Sequence, residues 1–230
     1  LNLFVGCHGI GCAVGDNCWA RRMAKRQHCQ LCKSFTPHYH GERWVEPFRV
    51  RKSSRIGLNF MSDTFDRDVV HHLSFHEMMV MIEKCDWHTF IVLTKQPQNI
   101  PGGLFAPNNL WIGVSINTVG DLWRLADLKA RTNIKHKFVS FEPLYEDLTN
   151  ANLSELEWII IGAQTRPEKQ PKPEWVESLV TQANEKKIPV FLKNNLRGFE
   201  KVQEYPQSFS IQLSLVKRRG WRSHLDSQGA

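Results

Sequence analysis

Short, nearly unbroken apolar runs recur along the chain, and each ends on polar or charged residues. Leu3 to Val5 leads into Gly6-Cys7, Arg55 to Met61 ends at Ser62-Asp63, and Thr89 to Leu93 ends at Thr94-Lys95. Leu110 to Val114 ends at Ser115, Lys137 to Phe141 at Glu142-Pro143, Trp158 to Ile161 at Gly162-Ala163-Gln164, and Pro189 to Leu192 at Lys193-Asn194. Runs apolar on both faces of a strand suit a parallel sheet covered on both sides. Between them, Val69 to Lys84, Asp121 to Arg131 and Glu174 to Lys187 carry apolar residues at three-to-four spacing, the mark of amphipathic helices. Strand then helix, repeated, predicts an α/β fold: a partial (βα) barrel of about six parallel strands. In a barrel the polar strand ends converge on one mouth, where active sites are built.

Composition narrows the class without naming a chemistry. The 230 residues are 41% apolar and 23% charged, as in a folded globular domain. No apolar run approaches the roughly 18 residues that a membrane span needs, and no charged-then-apolar leader opens the sequence, so a cytoplasmic protein is expected. Thirty Lys and Arg against 23 Asp and Glu leave a net charge of +7, which favours polyanionic partners such as nucleic acid or is simply a basic solvated surface. Basic residues are densest at Arg21 to Arg26, Arg49 to Arg55 and Lys217 to Arg222.

Cysteine placement adds the chemistry. Five of the six cysteines, Cys7, Cys12, Cys18, Cys29 and Cys32, lie in the first 32 residues, and Cys85 stands alone as an expected core thiol. In a reducing compartment clustered thiols point to metal rather than disulfides. Glycines at 6, 9, 11 and 15 let the loop fold back so that Cys7, Cys12 and Cys18 converge, with backbone amides turned toward the sulfurs. Taken alone, those residues fit an iron–sulfur cluster and a zinc knot equally. Residues 20–54 form an expected insertion after the first strand. Within it Cys29-x2-Cys32 is followed by His38 and His40, a donor set for a second metal, zinc, or an unligated segment whose histidines touch substrate or solvent. Residues 1–196 are expected to make the barrel and 197–230 a C-terminal extension without an assigned role.

A glycine-flanked cysteine cluster after strand one, its last cysteine followed by an aromatic, resembles the radical S-adenosylmethionine (radical SAM) superfamily. More closely, the chain is similar to an uncharacterised, phage-associated branch of radical-SAM-like proteins, distantly similar to spore photoproduct lyase. The likeness rests on Cys18-Trp19-Ala20-Arg21-Arg22-Met23, on Pro37 with His40-Gly41-Glu42-Arg43, and on Met61-Ser62-Asp63-Thr64-Phe65. It continues through Leu93-Thr94-Lys95, Gly113-Val114-Ser115, Ser140-Phe141-Glu142-Pro143-Leu144 and Phe191-Leu192-Lys193. The spacing here is C-x4-C-x5-C, where the common motif is C-x3-C-x2-C, so Cys29 or Cys32 stands as an alternative ligand.

The resemblance implies a [4Fe–4S] cluster on Cys7, Cys12 and Cys18 whose open iron chelates SAM, a reducing partner such as flavodoxin or ferredoxin, and cleavage of SAM to methionine and a 5′-deoxyadenosyl radical. It places Asp63 at the SAM ammonium, although Ser62-Asp63 before a helix also reads as a cap. Ser115 and Glu142 are implied at the ribose, with substrate as the alternative for Glu142. Lys95 and Lys193 are cations at the mouth for the SAM carboxylate or a substrate phosphate, or else solvated lysines, and Gln164 is a candidate for adenine or SAM. No catalytic residue is assigned, and nucleic acid modification or repair is the substrate expectation. The reading from another class is a zinc-stabilised, non-catalytic nucleic-acid-binding phage accessory protein.

Overall fold

The computed structural model describes residues 1–209. In chain order these form β1 (Phe4–Val5), α1 (Trp19–Ala24), α2 (Gln30–Ser34), β2 (His38–Tyr39), α3 (Glu46–Arg49), β3 (Arg55–Gly57), α4 (Arg67–Val70) and α5 (Ser74–Lys84). Then come β4 (Thr89–Thr94), β5 (Leu110–Ser115), α6 (Trp123–Ala130), β6 (His136–Phe141), β7 (Trp158–Ile161), the β8–β9 hairpin (Gln164–Thr165, Glu168–Lys169), α7 (Pro173–Glu185) and β10 (Val190–Leu192). No described helix is long and apolar enough to cross a membrane.

Six strands pair in the order β10-β7-β6-β5-β4-β3, every pair parallel. Neighbours in space follow one another in sequence, so the sheet winds in one direction and curls into a half-barrel. Alternation along the strands gives it two different faces. Phe90, Val92, Ile112, Val114, Val139, Phe141, Ile159 and Ile161 join the large core with Met78 and Ile82 of α5, Leu125 and Leu128 of α6, and Val176 and Leu179 of α7. The opposite face carries Ile91, Trp111, Phe138 and Trp158, closed off by Phe209 from the C-terminal segment.

Three expectations change. Leu3 to Val5 is not a strand of the parallel sheet: β1 pairs antiparallel with β2, Phe4 opposite Tyr39 and Val5 opposite His38. The physical cause is Asn59, whose left-handed backbone (φ 57°) ends β3 early and whose buried Oδ1 accepts from the amides of Leu3 and Phe4 at 2.9 and 3.1 Å. Backbone bonds from Leu1 N to Gly57 O and from Asn59 N to Leu1 O, both 2.8 Å, hold the first residue at the open edge of the sheet, and β1 then pairs with β2 rather than with β3. The helix expected over Val69 to Lys84 is two helices, because the imidazole Nδ1 of His72 accepts from the amide of Ser74 at 3.1 Å and starts α5 anew. The C-terminal extension, given no role from sequence, covers the inner face as far as Phe209; the basic stretch Lys217 to Arg222 lies outside the described residues.

Candidate functional site

Inward-facing positions sort into three levels along the strands. The floor is aromatic: Trp111, Phe138 and Trp158 under Phe209. Above it the side chains shrink. Gly113 leaves the space that the Phe138 ring fills, since a Cβ there would lie 2.4 Å from that ring. At the C-terminal ends Lys95, Ser115, Glu142 and Lys193 face a cavity of about 260 Å³, whose opposite wall is the cysteine loop with Cys7, Cys12 and Cys18. The two groups of candidates, at least 77 residues apart in sequence, therefore share one mouth.

Gly6 sets the cysteine loop. Its φ of +87° suits only glycine, and a Cβ would sit 2.5 Å from the carbonyl oxygen of Thr36. The loop is tied down at both ends. The Gly6 amide donates to Met61 O at 2.9 Å, Ser62 Oγ donates to Gly6 O at 2.7 Å, and Arg124 Nη2 donates to Gly11 O at 2.6 Å. Burial pushes the Cys7 thiol up to about 11, opposed by the Gly9 amide at its sulfur and reinforced by Cys18, Cys12 and Asp63. Three thiols on one cavity wall make a donor set suited to a thiophilic metal centre. Among the described residues they do not close to the spacing of a single ion, within 4.8 Å of one another.

Ser115 is buried, and its Oγ has no hydrogen-bond partner among the described residues. Buried hydroxyls are nearly always paired, so this one stands out at the cavity wall. Glu142 pairs with Lys193 Nζ at 2.5 Å, and Gly162 makes room for both, because a Cβ there would press on the two side chains at 3.1 Å. The buried Asp63 carboxylate accepts from Phe65 N (3.0 Å), Thr94 Oγ1 (2.6 Å) and Lys95 N (2.8 Å), tying the end of β3 to the end of β4. Burial raises its pKa, while those three donors and the Lys95 charge oppose the rise. Lys95 thus contributes its amide to Asp63 and its side chain to the cavity wall. Gln164 is engaged within the protein, accepting from Tyr145 Oη and donating to Pro167 O.

Sequence reasoning missed Arg124 and Asn195. Arg124, on α6 and 2% exposed, pairs with Asp121 at 2.7 Å and donates to Ser115 O and Gly11 O, linking the end of β5 to the cysteine loop. Asn195 clamps the backbone of Ala163 in both directions at the far side of the mouth. Neither carries a local signal, since an Arg in an amphipathic helix and an Asn after a strand read as solvated positions. The rim adds Ile10, Trp19 and Phe60, each about half exposed, beside the basic α1.

A second group lies behind the loop. Cys29, Cys32, His38 and His40 bring four ligand atoms within 4.8 Å of one another, an arrangement able to hold a metal ion such as zinc. Backbone hydrogen bonds from Cys32 and Leu31 lower the Cys29 pKa, while burial pushes Cys32 up to about 11. His72 and His76, four apart on the helix reading, make no metal group among the described residues.

A family described as "Protein of unknown function (DUF5131)" matches residues 1–214 of the chain. No curated protein and no solved structure matches it.

Proposed function

The chain belongs to the DUF5131 family, whose description names no activity, and from the site we propose a radical-SAM-like iron–sulfur enzyme working at the mouth of the half-barrel. The observation that carries this reading is the convergence of Cys7, Cys12 and Cys18 with Asp63, Ser115 and Glu142 on one cavity at the strand ends. The glycine-rich loop that carries the three thiols supports a [4Fe–4S] cluster as the group bound there. When bound, such a cluster supplies the reductive cleavage of SAM, using electrons from a flavodoxin- or ferredoxin-like donor.

The residues of the chain have separate tasks in this reading. Cys7, Cys12 and Cys18 hold the cluster. The unpartnered Ser115 hydroxyl bonds a polar group of SAM, and Glu142, oriented by Lys193, faces the ribose or the substrate. Asp63, whose carboxylate holds Thr94 Oγ1 and the amides of Phe65 and Lys95, positions Lys95 and the loop that follows β3. Trp19 and Phe60 narrow the mouth against water. Lys193 is paired with Glu142, so Lys95 is the cation that, together with the net charge of +7, suits a phosphate-bearing substrate, and nucleic acid modification or repair is the substrate class we infer.

Anaerobic reconstitution followed by iron and sulfide analysis tests the reading. About four irons and four sulfides per chain are expected, with a broad absorbance near ~400 nm. All three should be lost in the Cys7→Ala/Cys12→Ala/Cys18→Ala variant, and 5′-deoxyadenosine should form from SAM only in the parent protein. A colourless protein without sulfide would overturn it and leave the non-catalytic, zinc-stabilised nucleic-acid-binding reading.

A further inference from the structure

We infer that Cys29, Cys32, His38 and His40 bind one structural zinc ion, and that this ion braces the cysteine loop from behind. The inference stands independently of the iron–sulfur reading. It begins with distances. His38 Nε2 lies 3.5 Å from Cys29 Sγ and 3.4 Å from Cys32 Sγ, and His40 Nε2 lies 3.2 Å from Cys32 Sγ and 2.9 Å from His38 Nε2. A zinc tetrahedron with two sulfur and two nitrogen ligands has edges of about 3.3 to 3.8 Å. Four of the six edges are thus near those lengths or slightly shorter, and the other two lie within 4.8 Å.

Tautomers carry the argument further. His38 Nδ1 is 2.7 Å from the carbonyl oxygen of Thr36, which only accepts, so that nitrogen bears its hydrogen. His40 Nδ1 is 2.7 Å from the Glu42 carboxylate and bears its hydrogen for the same reason. In the neutral rings both Nε2 atoms are then lone-pair acceptors, and they face each other at 2.9 Å with no hydrogen between them. One extra proton could relieve that single contact. A cation at the centre satisfies both nitrogens and both sulfurs together. A backbone carbonyl and a carboxylate fixing the outer nitrogens is the usual second layer of a histidine–zinc site. Four protein ligands leave no open position, which makes the site structural rather than catalytic.

The bracing follows from connectivity. His38 is paired with Val5, two residues before Cys7, in the β1–β2 ribbon. Thr36, whose carbonyl holds His38, is also the residue that presses on Gly6. Cys32 and Phe35 share a small core with Val5, Ala20, Ala24 and Met61, against which Cys7, Cys18 and Cys29 pack. Fixing the metal ligands therefore fixes the wall on which the cysteine loop rests.

Metal analysis of the Cys7→Ala/Cys12→Ala/Cys18→Ala variant tests the site apart from any cluster. One zinc per chain is expected there, and none in a Cys29→Ser/Cys32→Ser variant. Glu42→Ala should bind zinc about 10- to 100-fold more weakly, through the loss of its bond to His40. Should the double serine variant fail to fold, X-ray absorption of zinc in the parent protein decides, with two sulfurs and two nitrogens expected in the first shell. No zinc in the triple variant, or any other shell, overturns the site. The bracing is read in iron-free protein by the alkylation rate of Cys7 before and after chelation: a rise is expected, and an unchanged rate overturns that part.

Discussion

Arg124 shows what a single side chain can decide in this molecule. Its guanidinium is buried, paired with Asp121, and donates to the carbonyls of Ser115 and Gly11, so the charge is balanced while two loops are pinned. Burial lowers its pKa, and Asp121, Asp63 and Cys12 push it back up. Truncating it orphans Asp121 from its cation and leaves two carbonyls without their donor. Breaking a buried pair from one side costs about 3–5 kcal/mol. Arg124→Ala is therefore expected to lower unfolding free energy by that order in urea titration, and an effect under about 1 kcal/mol would mean the pair behaves as a surface one. The cysteines were legible because five thiols in 32 residues are improbable by chance; Arg124 was not, because only the fold shows that its helix passes under the cysteine loop.

At the scale of elements, the sheet was readable and its edge was not. Runs such as Thr89 to Leu93 and Leu110 to Val114 are apolar at both parities, and that pattern has few solutions other than a strand covered on both faces. The strand ends carried the mouth residues with them, so Lys95, Ser115, Glu142 and Lys193 line one cavity at that end. The start of the chain was misplaced because only Leu1 bonds along the edge of β3 through its backbone, while Leu3 and Phe4 are held by the Asn59 side chain and the strand pairs with β2 instead. The break before α5 depends likewise on one imidazole, which leaves the apolar period unchanged. Packing between floor and mouth gives a test at this scale. Gly113 and Phe138 are neighbours on β5 and β6, and a methyl at 113 would lie 2.4 Å from the ring. Phe138 is held by Trp158 at 5.6 Å and is 1% exposed, so it has little room to move. Gly113→Ala should destabilise by about 1–3 kcal/mol through overpacking. A neutral result in denaturant titration would show that the ring can retreat toward the cavity.

Across the whole molecule, polarity rises from the floor to the mouth, and the C-terminal segment completes the floor. Trp158 Nε1 donates to Glu204 O, Tyr205 stacks on Arg55 at 3.7 Å, and Phe209 covers Trp111. An open half-barrel would otherwise expose that aromatic layer, so residues called an extension from their irregular, polar sequence form part of the core. On the helix side the same core sets how stability responds to pH. Cys85 is completely buried, and burial pushes its thiol from 9.0 up to about 12. In the unfolded chain it ionises near its ordinary value; in the folded chain it keeps its proton until about 12. Between those limits the folded state binds more protons, so stability falls as pH rises, by about 1.4 kcal/mol per unit. Below pH 9.0 the thiol is neutral in both states and contributes no slope. Lysines and tyrosines titrate in the same window, and a Cys85→Ala comparison cancels them. The variant should be the less stable protein at pH 8, because it leaves a cavity beside Ile82 and Phe90. By pH 10.5 its deficit should shrink by about 2 kcal/mol. A deficit that stays constant across that range would mean the thiol ionises without resistance, and that the core beneath the cysteine-bearing mouth is less dry than its packing indicates.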